Sequence, residues 1–171
     1  MTPSSALQAN RYTLAYRDME DVKRYISAYL ELDAFQRQCA NSRYFDHCEA
    51  ALVAAIVAYS RCFTASKSKG KAAKLLKKTD FACLTENNEL SKLHDLVLEK
   101  RHTTVAHSDW AEHNTELLEV RGKSVFRRIS VPKLTRGVEA EQLQNLAALV
   151  KQEALARSHT LDTSGAGPNA A

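Results

Sequence analysis

The chain has 171 residues, 26% of them charged, with a formal net charge of +4. That length suits one domain able to bury a core without covalent staples, and two domains would be crowded. The charge suits a polyanionic partner without demanding one.

Five glycines and three prolines are few, and a body rich in Ala, Leu, Glu, Lys and Gln favours helices. The four cysteines, Cys39, Cys48, Cys62 and Cys83, form no Cys-x-x-Cys pair, and the first six residues lack the basic and apolar regions of a secretion signal. The expectation is a cytoplasmic protein with reduced thiols. The longest apolar run, Ala50 to Tyr59, is about half of the roughly 20 residues that a membrane helix needs. No membrane partner is expected.

Residues 1–15 carry little pattern and read as a flexible arm. A first helix is expected from about Met19 to Gln38, with Val22, Ile26, Tyr29, Leu30 and Phe35 at three- or four-residue steps, and Asp18 and Glu20 near its start. Asn41-Ser42 supplies a stop and a new cap.

The second helix, about Arg43 to Thr64, is the most apolar. Phe45, Cys48, Leu52, Ile56, Tyr59 and Phe63 form its stripe, and the alanines beside them admit a close neighbour. Arg61 lies near its end. It reads either as a surface arginine whose stem covers the core edge or as a support for a site.

Six lysines around one glycine fill Ser66 to Lys78. Lys67, Lys69, Lys71 and Lys74 could track RNA phosphates, because such contacts need only cations. A solvated linker is the alternative, since no aromatic residue is interleaved to stack on bases. Thr85-Glu-Asn-Asn-Glu89 opens a third long helix with Leu90, Leu93, Val97, Leu98 and Val105 on its stripe.

Leu117–Val120 and Ser124–Val131 flank Arg121-Gly-Lys123 and predict a hairpin ended by Pro132. A last helix, about Ala140 to Ala156, repeats Leu143, Leu146, Leu149, Val150 and Leu155. The fold class is thus all-α, an up-and-down bundle of four to five helices with a small β-hairpin after the third long helix. One domain spans 16–158, and 159–171 is a disordered tail.

The stretch Leu98-Glu-Lys-Arg-His-Thr-Thr-Val-Ala-His-Ser-Asp109 carries the side chains that look chosen for chemistry. The Arg101 guanidinium binds phosphate oxygens as a planar fork, and the His107 imidazole exchanges a proton near neutral pH. Together they suit cleavage of RNA by its own 2′-hydroxyl, with His107 as general base or acid and Arg101 neutralising charge on the non-bridging oxygens. His102 would support Arg101, and Asp109 could steady an imidazolium or cap the helix. No metal or cofactor enters this scheme.

On a continuous helix His107 lies about 120° round from Arg101 and about 9 Å further along. A shared phosphate therefore needs a break, for which the β-branched run Thr103-Thr104-Val105 gives an opening, or a second copy related by a two-fold axis. Read from spacing alone, the same two residues fit an ordinary helix surface. His47, His94, His113 and His159 read as structural or solvent-exposed, and Cys39, His47 and Cys48 lack the second ligand pair of a zinc site.

Arg101-His-x-x-Val-Ala-His107-Ser-Asp109 resembles the signature of the HEPN superfamily, in which an arginine followed by a polar residue is separated from a histidine by four to six intervening residues. Tyr59-Ser-Arg-Cys-Phe63 is similar to the HEPN branch related to bacterial abortive infection. The likeness covers roughly residues 20–155 in its order of helices. It implies an all-helical bundle that forms a homodimer with both motifs in one cleft. It further implies a metal-independent endoribonuclease serving as a toxin or in phage defence, with a protein or antitoxin regulator as further partner.

Arg101 and His107 inherit the active-site roles, and His102 and Arg61 supporting ones. Asp109 stands where the nucleotidyltransferase-modified toxin branch has tyrosine. The alternatives are a non-catalytic HEPN module that binds RNA, a nucleotide or a protein partner, and a helical interaction protein.

Overall fold

The computed structural model describes residues 3–39, 45–64, 76–102, 115–120, 123–128 and 137–164. These residues are mostly helical. The helices are α1 (Pro3–Cys39), α2 (Phe45–Ser60), α3 (Ala82–Glu86), α4 (Asn88–Lys100) and α5 (Ala140–Ser164), with a 3₁₀ turn over Lys78–Asp80. Thr115–Val120 (β1) and Lys123–Arg128 (β2) pair antiparallel, with Thr115 opposite Arg128 and Val120 opposite Lys123.

α1 is the element against which α2 and α5 are arranged. Its end meets the start of α2 where the Cys48 thiol reaches Gln36 Oε1 at 3.5 Å, and its middle meets the end of α2 where Arg61 reaches Asp18 and Asp21. The two helices therefore run antiparallel. α5 also runs antiparallel to α1, since Thr13 Oγ1 lies 3.0 Å from Ser158 Oγ and Lys151 pairs with Glu20.

The expected arm over 1–15 is corrected by α1, which begins at Pro3. Proline suits a first helical turn, where its missing N–H has no partner to lose. Ala9, Tyr12 and Ala15 are buried and continue the stripe of Met19, Val22 and Ile26. Two of the three added positions are alanine, whose small apolar surface gives little periodic signal. Burial against α5 is what gives those positions their place in the core.

Two large residues of the expected stripes lie outside the core. Phe35 is 45% exposed and Leu155 is 42% exposed, whereas Ala154 beside it is fully buried. α5 packs through Leu143, Leu146, Ala147, Val150, Ala154 and Ser158, a run at three- and four-residue steps in which small residues bring α1 close. α5 also continues to Ser164, so part of the expected tail is helical. α2 behaves as its pattern predicts, with Cys48, Leu52, Ile56, Tyr59 and Phe63 all buried.

Local signals set the helix starts. Asn87 caps α4, its side chain accepting from the N–H groups of Glu89 at 3.0 Å and Leu90 at 3.1 Å. The short α3 is capped from a distance: the Glu153 carboxylate of α5 accepts from Ala82 N at 2.6 Å and Cys83 N at 2.7 Å. Gly137, with φ +86°, takes the left-handed turn ahead of α5 that a side chain would strain.

Tyr12→Ala is expected to lower the unfolding free energy by roughly 3–5 kcal/mol, the cost of emptying an aromatic-sized core position. Leu14→Ala, at a position 49% exposed, should change it by less than about 0.5 kcal/mol. Urea denaturation of both variants separates these outcomes, and equally small effects would return residues 3–15 to the status of an arm.

Candidate functional site

Arg61, Arg101 and His102 are among the described residues of the expected site. His107, Asp109, Lys67, Lys69, Lys71 and Lys74 lie outside them.

α4 buries Leu93, His94 and Val97. Arg101 follows Val97 by four residues and His94 by seven, and seven residues fall within about 20° of two full turns. Arg101 therefore continues the buried stripe of α4 and is itself half-buried, while His102 is exposed. Helical side chains lean toward the N-terminus, which carries Arg101 back over the turn of Val97.

Arg101 closes the regular part of α4. It keeps helical angles, φ −60° and ψ −41°, and its N–H is shared between the carbonyls of Leu98 and Val97. Arg101 and His102 extend the winding of α4 past Lys100. The β-branched run at 103–105, which the sequence reading offers as an opening for a break, lies outside the described residues.

Two turns back, His94 is 2% exposed and its Nδ1 lies 2.8 Å from the hydroxyl of Tyr59, which is fully buried on α2. Aromatic rings pack beside the contact. The imidazole stands edge-on to Phe63 at 4.7 Å between centroids and to Tyr59 at 5.8 Å, and Phe81 packs edge-on against Phe63 at 5.6 Å. Burial pushes the His94 imidazole down to about 4 and the Tyr59 phenol well above its ordinary range. Both are neutral at physiological pH, so a single proton serves the hydrogen bond between them.

Arg61, two residues beyond Tyr59, turns the other way. Its Nη1 lies 3.2 Å from Asp18 Oδ1 and 3.1 Å from Asp21 Oδ2. Burial raises the Asp18 carboxyl although Arg61 opposes the rise, whereas Asp21 is lowered, first by its bond from Arg24 and further by Arg61. The structure thus places Arg61 on α1, and its described contacts do not join it to Arg101. Sequence spacing gave no sign of this, because the partners are about forty residues apart.

The thiols are held protonated. Burial pushes Cys62 up, and burial together with the Glu153 carboxylate pushes Cys83 up to about 12. Among the described residues no group of three or more His, Cys, Asp or Glu is gathered to hold a metal ion, and no helix is long and apolar enough to cross a membrane. Comparisons of the chain with models of protein families, with curated proteins and with solved structures gave no match.

The buried histidine makes stability depend on pH. Unfolded, His94 takes a proton near 6.5; folded, only near 4. Above about 6.5 both states are neutral there, and as the pH falls toward 4 the unfolded state gains a proton that the folded state refuses. This group should therefore remove about 3 kcal/mol of stability between pH 6.5 and 4. Urea unfolding across that range should show a steeper decline for the native chain than for His94→Gln, and parallel curves would contradict the assignment.

The Arg61 ion pairs are partly exposed, so Arg61→Gln should cost less than about 1 kcal/mol. A double-mutant cycle with Asp21→Asn measures the coupling directly.

Proposed function

We propose that this chain is a HEPN-like endoribonuclease acting without a metal or cofactor. The observation that supports this most is the place of Arg101: a half-buried arginine on the core-facing stripe of α4, just past its last regular turn. A long cation directed along a buried stripe is costly for packing alone and useful where phosphate must be held.

In this reading the RNA 2′-oxygen attacks the adjacent phosphorus, His107 takes the hydroxyl proton, and the protonated imidazole gives it up to the 5′-oxygen as the bond from phosphorus to that oxygen breaks. The products carry a 2′,3′-cyclic phosphate and a 5′-hydroxyl. Arg101 offsets charge on the non-bridging oxygens, with His102 and Asp109 as supporting groups. Lys67, Lys69, Lys71 and Lys74 gather the substrate backbone. Arg61 supports the site from a distance by tying α2 to α1.

Arg101 is carried back along α4 whereas His107 comes six residues later, so a homodimer completes the cleft with the second copy's motif. A cytoplasmic toxin or phage-defence effector restrained by a protein regulator fits such an activity. The hairpin of β1 and β2 adds to the plain bundle and would border the cleft or the dimer interface.

Mixed RNA incubated in chelator with the purified chain should yield 2′,3′-cyclic ends. Arg101→Ala and His107→Ala should each lower kcat by at least about 100-fold. Saturable, salt-sensitive binding of RNA that stays intact would instead favour the non-catalytic module. A monomer at micromolar concentration in sedimentation experiments would count against the shared cleft.

A further inference from the structure

We infer that the Tyr59–His94 pair is a positioning element for Arg101: it sets the rotation of α4 against α2 and, through the helix, the direction in which the guanidinium is presented. What Arg101 is presented to rests on the nuclease reading, whereas the positioning itself stands on the contacts of α2 and α4.

Packing alone would leave α4 loosely indexed. It has 13 residues, and apolar contact is non-directional, so a short helix seated on Leu93 and Val97 could rotate slightly at little cost. The bond between Tyr59 and His94, at 2.8 Å, is directional and sealed from water, so a rotation that breaks it strands two buried polar groups. The imidazole is also wedged edge-on between Tyr59 and Phe63. His94 is thereby held in angle by a buried directional bond as well as by packing.

The reference it is measured against is fixed. Tyr59 is followed by Arg61, which is bound to Asp18 and Asp21 of α1. The backbone next to it is closed by Leu76 N donating to Cys62 O at 3.2 Å. α1, α2 and α4 are therefore joined within five residues of chain, Tyr59 to Phe63.

The constraint then travels along α4. His94 and Arg101 share one stripe, about 10 Å apart along the axis, with the fully buried Val97 between them. The backbone is regular helix up to Arg101, so a rotation at His94 is passed on undiminished. For a group roughly 6 Å from the axis, a 20° rotation displaces it by about 2 Å. Displacements of that size are enough to cost an active site most of its rate.

The test compares four variants of the full chain. Tyr59→Phe removes the hydroxyl and keeps the ring, and His94→Leu removes the polar partner. His94→Asn restores a group near Nδ1 able to accept or donate. Val150→Ala weakens the core on α5 without touching the pair. The Arg101 Nε–H resonance, assigned by its loss in Arg101→Lys, reports the guanidinium's surroundings without reference to activity. RNA cleavage reports kcat and KM.

Tyr59→Phe and His94→Leu should both move the Arg101 resonance and lower kcat about tenfold with KM little changed. His94→Asn should return both readouts toward the native values, and Val150→Ala should leave both in place. If His94→Leu does not fold, Tyr59→Phe and His94→Asn carry the comparison.

An Arg101 resonance unmoved in the pair variants, or moved equally by Val150→Ala, would overturn the inference. A resonance that moves as expected in a chain that cleaves no RNA would uphold the positioning and remove the nuclease reading.

Discussion

The hydrogen bond between Tyr59 and His94 is the contact on which the arrangement around the candidate site depends. It joins two polar side chains that burial keeps neutral, with the ring of Phe63 packed against both. An apolar pair of the same size would fill the space as well but would tolerate a range of helix rotations. A buried donor and acceptor tolerate few, because leaving either unmade costs the full desolvation of the group.

The end of α2 is where this constraint meets the rest of the fold. Tyr59 faces α4 and Arg61, just past the end of α2, faces α1, so two side chains two positions apart hold two other helices. The α1–α5 seam works by a different principle. Ala9, Ala15, Ala147 and Ala154 are buried there, and small side chains let the two backbones approach so that dispersion contacts accumulate along the helices. Thr13 and Ser158 satisfy each other within it. α1 thus packs closely on α2 as well as on α5, and the ion pairs at the edges of both seams, Arg61 with Asp18 and Asp21 and Lys151 with Glu20, each contribute little.

The residues show why parts of this were legible beforehand. The α2 stripe consists of large apolar side chains at helical steps, and it is buried as its pattern implies. Asn87 lies in the stretch read as a helix start and is the cap. Phe35 and Leu155 misled because size was taken for burial, while the alanines that do the packing carry almost no periodic signal. The arm over 1–15 was misread for the same reason, since Ala9 and Ala15 reveal their place only when α5 lies against them.

At the candidate site the sequence by itself determined the residue types and their spacing. Arg101 lies seven residues after His94 on one stripe by helix geometry alone, and the Arg101-to-His107 interval already ruled out a shared phosphate on one straight helix. Only the tertiary structure decided that His94 is buried against Tyr59 and that Arg61 is spent on Asp18 and Asp21. The division has a physical cause. Spacing along a helix is set by local backbone geometry and can be counted, whereas burial and ion pairing join residues more than thirty positions apart and exist only once the chain has folded.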